Sequence, residues 1–558
     1  MTGDTTGTLP IGPLQEGLWV FWKLNPTSPA YNIPEVIHFD GEFDPAAVQF
    51  ALDETVRRHE ALRTTFRETE SGVVQVVSPD PLPMPVKVTD LRGVPETERA
   101  DRLAATLYDE ANAPFDLATD LPVRLTAIRV TDARTSVLLV VHHIVCDGTS
   151  IACLLKEYAA FYRAAREDTP PDLPPAPPGY TEVVRQQLAA LSGPNLREEL
   201  DYWRDRLTGV RGSALPRDRD SRPTANSLRT DAVSTVLEPE LAAAVLEHAR
   251  RARTTPFAVL LCAMQVMIAI GTSEDEVALG TVTSGRPRRF AATVGMLANT
   301  VVIKSAIDRA ASFAAVLDDV SLDVMDALDY QDLPYSRVIA ELHGSGRGQG
   351  DDLVRTMFVA AASSGRDAGA KRDYEIPAYR VEGPFELIVL CHVMGEVVAL
   401  DWEFALRSYS RETAAGYRDA YREILAALLR DPDAPIDSLK LTDVLARLVP
   451  NAYPPSAAGA PNSVTSGVEP PAAGTSDNPA ADDAVLSPVE EAVAAIWSEI
   501  LDIPVTAPSD NFFQLGGHSM VASRAVALVR RKVAPATMRL LFDHPELRDF
   551  CAQLPTTR

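Results

Sequence analysis

An α/β body followed by a small all-α bundle is the fold class the sequence predicts, and three observations carry that expectation. Apolar runs of strand length, such as Ser136–Val141 and Thr300–Lys304, alternate with segments of helical periodicity through residues 9–446. A stretch rich in Pro, Ala, Gly, Ser and Asp, from 450 to 486, breaks the pattern. Residues 487–558 then show helical spacing alone. At 558 residues the chain is well beyond the roughly 100–200 of one domain, so several are expected.

In the body, Ile151, Leu154, Leu155, Tyr158 and Tyr162 recur on one helical face, which predicts a helix over 150–166. Six prolines within 168–179 remove the donors that a helix or ladder needs, so this segment is read as an extended connector. The longest apolar run, Phe257–Ile270, is interrupted by Gln265 and is too short to span a bilayer. Thr254 and Thr255 before it, Pro256 at its start and Gly271 after it punctuate a buried helix. The 450–486 stretch has no aromatic residue after Tyr453, and no Lys or Arg lies between Arg447 and Arg524. Such a composition buries too little surface to order itself, and a coil of this length spans roughly 30–35 Å root-mean-square. In the tail, Ser487-Pro488-Val489-Glu490 is a capping box with proline in the first turn, and Val489, Val493, Ile496, Trp497 and Ile500 form one stripe. Asp543-His544-Pro545-Glu546 repeats the capping signal ahead of Leu547, Phe550, Cys551 and Leu554. No internal repeat is found.

The formal net charge of −24 argues against a nucleic-acid or anionic-membrane partner, which calls for a basic face. The five cysteines, Cys146, Cys153, Cys262, Cys391 and Cys551, are odd in number, scattered and without a C-x-x-C pair. Neither a disulfide framework nor a thiolate metal site is indicated, and reduced thiols in a cytoplasm are the expectation. The first residues carry neither a basic nor an apolar block, so no signal peptide is expected.

Two constellations carry chemistry. Val137–Val141 runs straight into His142-His143-Ile-Val-Cys-Asp147-Gly148. Neighbouring strand residues face opposite sides, so the two histidines cannot share a ligand, and a metal built on both is disfavoured. Gly148 is expected to allow a sharp turn into the following helix. By themselves these residues serve either as a core histidine pair with a turn, or as a site with one imidazole in the core and the other facing open space. The second constellation is Asp510-Asn-Phe-Phe-Gln-Leu-Gly-Gly-His-Ser519 ahead of an amphipathic helix carrying Val521, Ala525, Leu528 and Val529. Ser519 could be a plain helix cap. A hydrolase elbow needs Gly-x-Ser-x-Gly, and position 521 is Val.

His-His-x-x-x-Asp-Gly resembles the signature of the condensation domains of nonribosomal peptide synthetases and their acyltransferase relatives. Further pieces occur in that family's order: Leu14–Trp19 with Ser28–Ile33, Arg58–Phe66, Gly285-Arg286 with Val294–Thr300, and Gln331–Tyr335. The resemblance covers about 9–446. It implies a V-shaped pseudo-dimer of two chloramphenicol-acetyltransferase-like halves, 1–180 and 181–449, with the reaction at their interface. It further implies that His142, His143, Asp147 and Gly148 form the site, that His143 faces the reacting centre, and that Asp147 pairs with Arg286 as a structural element. Asn299 is a candidate on the acceptor side of the tunnel. No metal is implied.

The Asp510–Ser519 stretch resembles the attachment motif of peptidyl carrier domains, which places a four-helix carrier over 487–558 behind a linker at 450–486. The resemblance implies a covalent 4'-phosphopantetheine on Ser519, with Gly517, His518 and Met520 flanking the arm. Two glycines leave the serine uncrowded, and a helix N-terminus favours the phosphodiester anion.

The combined expectation is a didomain that forms an amide between a carrier-bound acyl or peptidyl thioester and an aminoacyl group on its own arm. The donor would arrive on an upstream carrier protein or synthetase module, and a phosphopantetheinyl transferase would modify Ser519. Synthetase modules usually set an adenylation domain between condensation and carrier domains, and only a linker stands here, so a trans-acting adenylation protein is expected to load the arm. The alternatives are transfer to a soluble amine or alcohol, and a non-catalytic docking module, which the intact His-His-x-x-x-Asp-Gly disfavours. Epimerisation lacks a glutamate-rich companion motif, and heterocyclisation would replace the histidines by aspartates.

Overall fold

The computed structural model describes residues 8–70, 72–79, 84–193, 196–219, 228–344, 353–361 and 382–449, and in the tail 486–501, 503–512, 515, 525–526, 528–529, 532–534, 536, 540–541 and 544–554. The first half contains β1 (Thr8–Pro10), α1 (Glu16–Leu24), β2 (Asn32–Asp40), α2 (Pro45–Arg58), β3 (Thr64–Thr69), β4 (Gly72–Val77), β5 (Lys87–Asp90), α3 (Glu96–Asn112), β6 (Val123–Arg129), β7 (Arg134–His142), α4 (Gly148–Glu167) and α5 (Tyr180–Ala190). Its main sheet has the order β2-β7-β6-β5, and β1-β4-β3 form a second. β7 is an interior strand: residues 135–142 are all buried, as a strand covered on both faces must be.

The second half contains α6 (Leu196–Leu207), β8 (Thr230–Val236), α7 (Pro239–Arg251), α8 (Pro256–Thr272), β9 (Glu276–Thr283), β10 (Asn299–Ala306), α9 (Phe313–Asp329), α10 (Tyr335–Gly344), β11 (Thr356–Ala360), β12 (Leu387–Met394), β13 (Val397–Ala405), α11 (Arg411–Arg430) and α12 (Leu441–Leu448). Its six-stranded sheet has the order β10-β9-β11-β12-β13-β8, with β11 parallel to both its neighbours. The predicted buried helix is α8. Thr255 caps it by accepting from the Ala258 N–H at 3.1 Å, and residues 258–270 are all buried. The helix runs through Gly271, and Ser273 is the residue that turns left-handed (φ 59°) to end it, so Gly271 is not the stop the sequence suggests. No single helix among the described residues is long and apolar enough to cross a membrane.

Two apolar cores divide the body. One gathers Leu52, Phe66, Leu138 and Val184; the other gathers Trp203, Leu260, Trp402 and Tyr421. The changeover falls between Leu188, packed on the first, and Leu191, packed on the second, whereas the sequence reading sets the halves at 1–180 and 181–449. One segment crosses over: Phe290, Val294 and Leu297 leave the second half's sheet and pack into the first half's core. The connector at 168–179 contains no helix or strand and is tied down. Arg58 Nη2 donates to the carbonyls of Pro174 (2.8 Å) and Pro175 (3.2 Å), and Thr293 Oγ1 donates to that of Pro178 (2.9 Å).

The tail has its own core around Trp497, Phe512, Leu547 and Phe550. The capping box at the start of α13 (Pro488–Leu501) forms in both directions: the Ser487 N–H donates to Glu490 at 2.6 Å and the Glu490 N–H to Ser487 Oγ at 3.3 Å. At the helix Leu547–Ala552 the N-cap residue is Glu546, whose side chain makes no capping bond; Asp543 of the second predicted box lies outside the described residues. The backbone carbonyls of Asp510 and Pro508 take the Leu547 and Arg548 N–H groups instead, each at 2.9 Å.

Candidate functional site

The site is built where β7 ends. The His142 N–H donates to the Pro122 carbonyl and the His143 N–H to that of Tyr31, so the strand's last residue and the one after it are fixed from opposite sides. A single 3₁₀ turn, His143–Val145, follows. His142 is 4% exposed, its ring set edge-on to Phe115 with centroids 6.0 Å apart. Its Nδ1 accepts from the Ile144 N–H at 3.1 Å, which places the ring proton on Nε2. Burial, the neighbouring His143 and the Arg124 guanidinium push its pKa down to about 3. His142 is therefore a neutral cap of the turn, the member of the pair that points into the core. His143 is half-buried, its ring set edge-on to Tyr31 at 6.0 Å.

Asp147 is 1% exposed and spends its carboxylate on five donors. Oδ1 accepts from the Ser150 N–H (2.9 Å) and from Arg286 Nη2 (2.6 Å), and Ser150 Oγ lies 2.9 Å away. Oδ2 accepts from the N–H groups of Leu297 and Ala298, each at 3.0 Å. Asp147 thus caps α4 and grips the crossing segment of the second half at once. Arg286 donates onward to the carbonyls of Thr293 (2.5 Å) and Phe290 (3.3 Å). Ser150, which the sequence reading passed over, is 2.9 Å from both Asp147 Oδ1 and the Gly295 carbonyl, and it accepts from the Gly295 N–H. Its position three residues after the capping aspartate was the available signal.

Gly148 opens α4 and is exposed, and it is not among the glycines with positive φ. The turn therefore does not need a glycine backbone there, contrary to the sequence reading. Gly285 does need one: its φ is +52°, and a Cβ would lie 2.1 Å from the Leu297 carbonyl oxygen. Asn299 is 5% exposed. Its amide donates to the carbonyls of Gln331 and Leu333, each at 2.7 Å, and its Oδ1 accepts from the Tyr335 N–H at 3.1 Å. Both amide protons are committed inside the fold, so Asn299 brackets the 331–335 segment against β10.

In the tail, Asp510 Oδ2 accepts from the Thr506 and Ala507 N–H groups at 2.7 and 2.8 Å. Phe512 is fully buried, edge-on to Trp497 at 4.9 Å. Asp510 and Phe512 thus fix the chain between 506 and 512 against the tail's core. Ser519, Gly517, His518 and Met520 lie outside the described residues.

A family model described as Condensation domain matches residues 5–446, and one described as Phosphopantetheine attachment site matches 491–554. The chain is 30% identical over 449 residues to chondramide synthase cmdD of Chondromyces crocatus, covering 78% of this chain and 11% of the synthase. It is 30% identical over 455 residues to phosphinothricin tripeptide synthetase PhsB of Streptomyces viridochromogenes, covering 80% of this chain and 38% of the synthetase. The chain thus spans well under half the length of either relative. Among solved structures it is similar to SgcC5 of Streptomyces globisporus, crystallised with a naphthyl ethanediol and sucrose (TM-score 0.64, 25% identity, 76% of this chain and 100% of that one). It also resembles the first condensation domain of the calcium-dependent antibiotic synthetase (TM-score 0.66, 20% identity, 78% and 99%).

Proposed function

The chain belongs to the condensation-domain family and carries a phosphopantetheine-attachment domain behind it, and from that premise we propose that it forms an amide between a donor acyl thioester brought by another carrier and an aminoacyl group on its own arm at Ser519, loaded in trans by a separate adenylation protein. The observation that carries the reading is the division of labour in the motif. His142 is buried, Asp147 is saturated by five donors, and His143 alone of the three keeps a partly exposed ring beside the junction of the halves.

The attached arm supplies a thiol on which the aminoacyl group rides. The amine nitrogen attacks the donor's thioester carbon; the C–N bond forms, the C–S bond breaks, and one proton passes from nitrogen to the leaving sulfur. An α-amino group has a pKa near 7.7–8.0, so about a tenth is neutral at pH 7, and full deprotonation would recover only about 1.4 kcal/mol. Holding amine and thioester in attack geometry is worth roughly 7–11 kcal/mol. His143 accordingly orients the amine and accommodates its proton as the bond forms. Asp147 and Arg286 hold the strand end, and Asn299 positions the 331–335 segment.

A second reading, transfer to a soluble amine or alcohol, is favoured by one observation: the chain covers the whole of SgcC5, whose crystals hold a small diol. One experiment separates the two. The phosphopantetheinylated chain, loaded with an amino acid, is mixed with an isotopically labelled donor thioester, and its intact mass is read. Label retained on the chain supports the first reading; label released only with added free amine or alcohol supports the second. No label transfer under either condition overturns both.

A further inference from the structure

The six-stranded sheet of the second half has two unlike faces. Phe358, Leu387, Val389, Cys391, Val398, Leu400, Trp402 and Phe404 enter the core under the helices. The alternate positions face the other way, and among them stands a histidine–carboxylate pair. His392 on β12 donates through Nε2 to Asp401 Oδ2 on β13 at 2.8 Å. The register sets His392 opposite Ala399 and Asp401 opposite Leu390, so the pair is a diagonal contact on one face. Both side chains are largely buried, at 14% and 10% exposure. With its proton on Nε2, the ring presents a lone pair at Nδ1.

β9, β11 and β12 run parallel, with Met357 level with both Gly280 and Ile388, so His392 is level with residue 284, next to Gly285 and Arg286. Two strand spacings separate them, about 10 Å. At that end of the sheet, Arg286 and the 297–298 N–H groups grip Asp147. Toward the other end, Ser28 Oγ donates to Glu382, which pairs with Arg229 just ahead of β8. Ser28 is three residues from Tyr31, which holds His143. The first half thus touches the second at two anchors, through Ser28, three residues before Tyr31, and through Asp147, four residues after His143.

We propose that the face bearing His392 is the wall opposite His143, and that His392, oriented by Asp401, is a specificity-determining residue that accepts a hydrogen bond from a hydroxyl group on one of the two acyl substrates. The chemistry of the wall selects that class. An imidazole backed by a carboxylate, with the Glu403 carboxylate two residues along the same strand face, welcomes a donor and repels an anion. A half-buried acceptor left without its partner rejects the analogue that lacks the donor.

The inference rests on the amide-forming reading only for the identity of the substrates, and its test is made on binding. Calorimetry would compare four stable pantetheine amides, seryl against alanyl and 3-hydroxyoctanoyl against octanoyl, on the full chain. The expected result is about tenfold tighter binding of the hydroxyl member of one pair. That ratio should fall to near unity in His392→Leu, with the plain analogue bound as before. Asp401→Asn, which keeps the shape and removes the charge that fixes the tautomer, should lower the ratio if His392→Leu fails to fold. Equal binding within both pairs in the native chain, or a ratio unchanged in both variants, overturns the proposal. A discriminating native chain that makes no amide leaves this inference standing and removes the amide-forming reading instead.

Discussion

Asp147 and Arg286 are 139 residues apart in the sequence and 2.6 Å apart in space, and their contact closes the junction between the halves of the body. The same carboxylate caps the helix that follows His143, so the geometry of the strand end and the docking of the crossing segment form one unit.

Asp147→Ala would strand the Arg286 charge and the N–H groups of Ser150, Leu297 and Ala298 in a site closed to water. We expect a loss of about 3–5 kcal/mol in urea unfolding of the body, with the tail's own transition unchanged. Arg286→Lys should recover only part of the Arg286→Ala loss, because a point charge cannot reach Asp147 and the Thr293 carbonyl together. A cost under about 1 kcal/mol for Asp147→Ala would mean that the clamp does not hold the junction.

The two adjacent histidines should separate cleanly. His143→Ala is expected to slow single-turnover amide formation by about 10²–10³-fold while leaving the unfolding midpoint nearly unchanged. His142→Ala removes the acceptor of a buried N–H and should cost about 1–3 kcal/mol of stability. Interchanged phenotypes would reverse the assignment.

His142 also predicts a pH dependence. Its folded pKa, about 3, lies below the ordinary value of 6.5, so above 6.5 both states are neutral and its full contribution is present. Between 6.5 and about 3 the unfolded chain binds a proton that the native chain does not, and stability falls as pH falls. The native chain should lose about 1–2 kcal/mol more than His142→Gln between pH 7 and pH 5, measured by urea titration at each pH. Parallel acid limbs for the two proteins would contradict it.

Asn299→Ala should free the carbonyls of Gln331 and Leu333 and the N–H of Tyr335. The expected cost is about 1–3 kcal/mol, with hydrogen exchange accelerated at the Tyr335 amide ahead of the rest of the second half. Unchanged protection at Tyr335 would remove the bracket assigned to Asn299.

Much of the architecture is legible in the chain because it rests on local chemistry. Thr255 and Pro256 announce α8, Ser487 and Glu490 announce α13, and the unbroken apolar run before His142 announces a strand covered on both faces. Local signals misled where a distant group supplied the same service. The helix at Leu547 needs no side-chain cap because the 508–510 backbone meets it, and Gly148 is not the residue on which the turn depends.

Sequence alone determined the two kinds of domain, which follow from periodicity and composition, and it singled out the order of the motifs with His143 and Asp147 through their resemblance to a known family. Only the tertiary structure decided which histidine is sealed and which is half-open, that Asn299 is spent on backbone groups, and that His392 and Asp401 pair on one face of the sheet. Each of these depends on strand register and on contacts between residues far apart along the chain, and none is written in any local run of sequence.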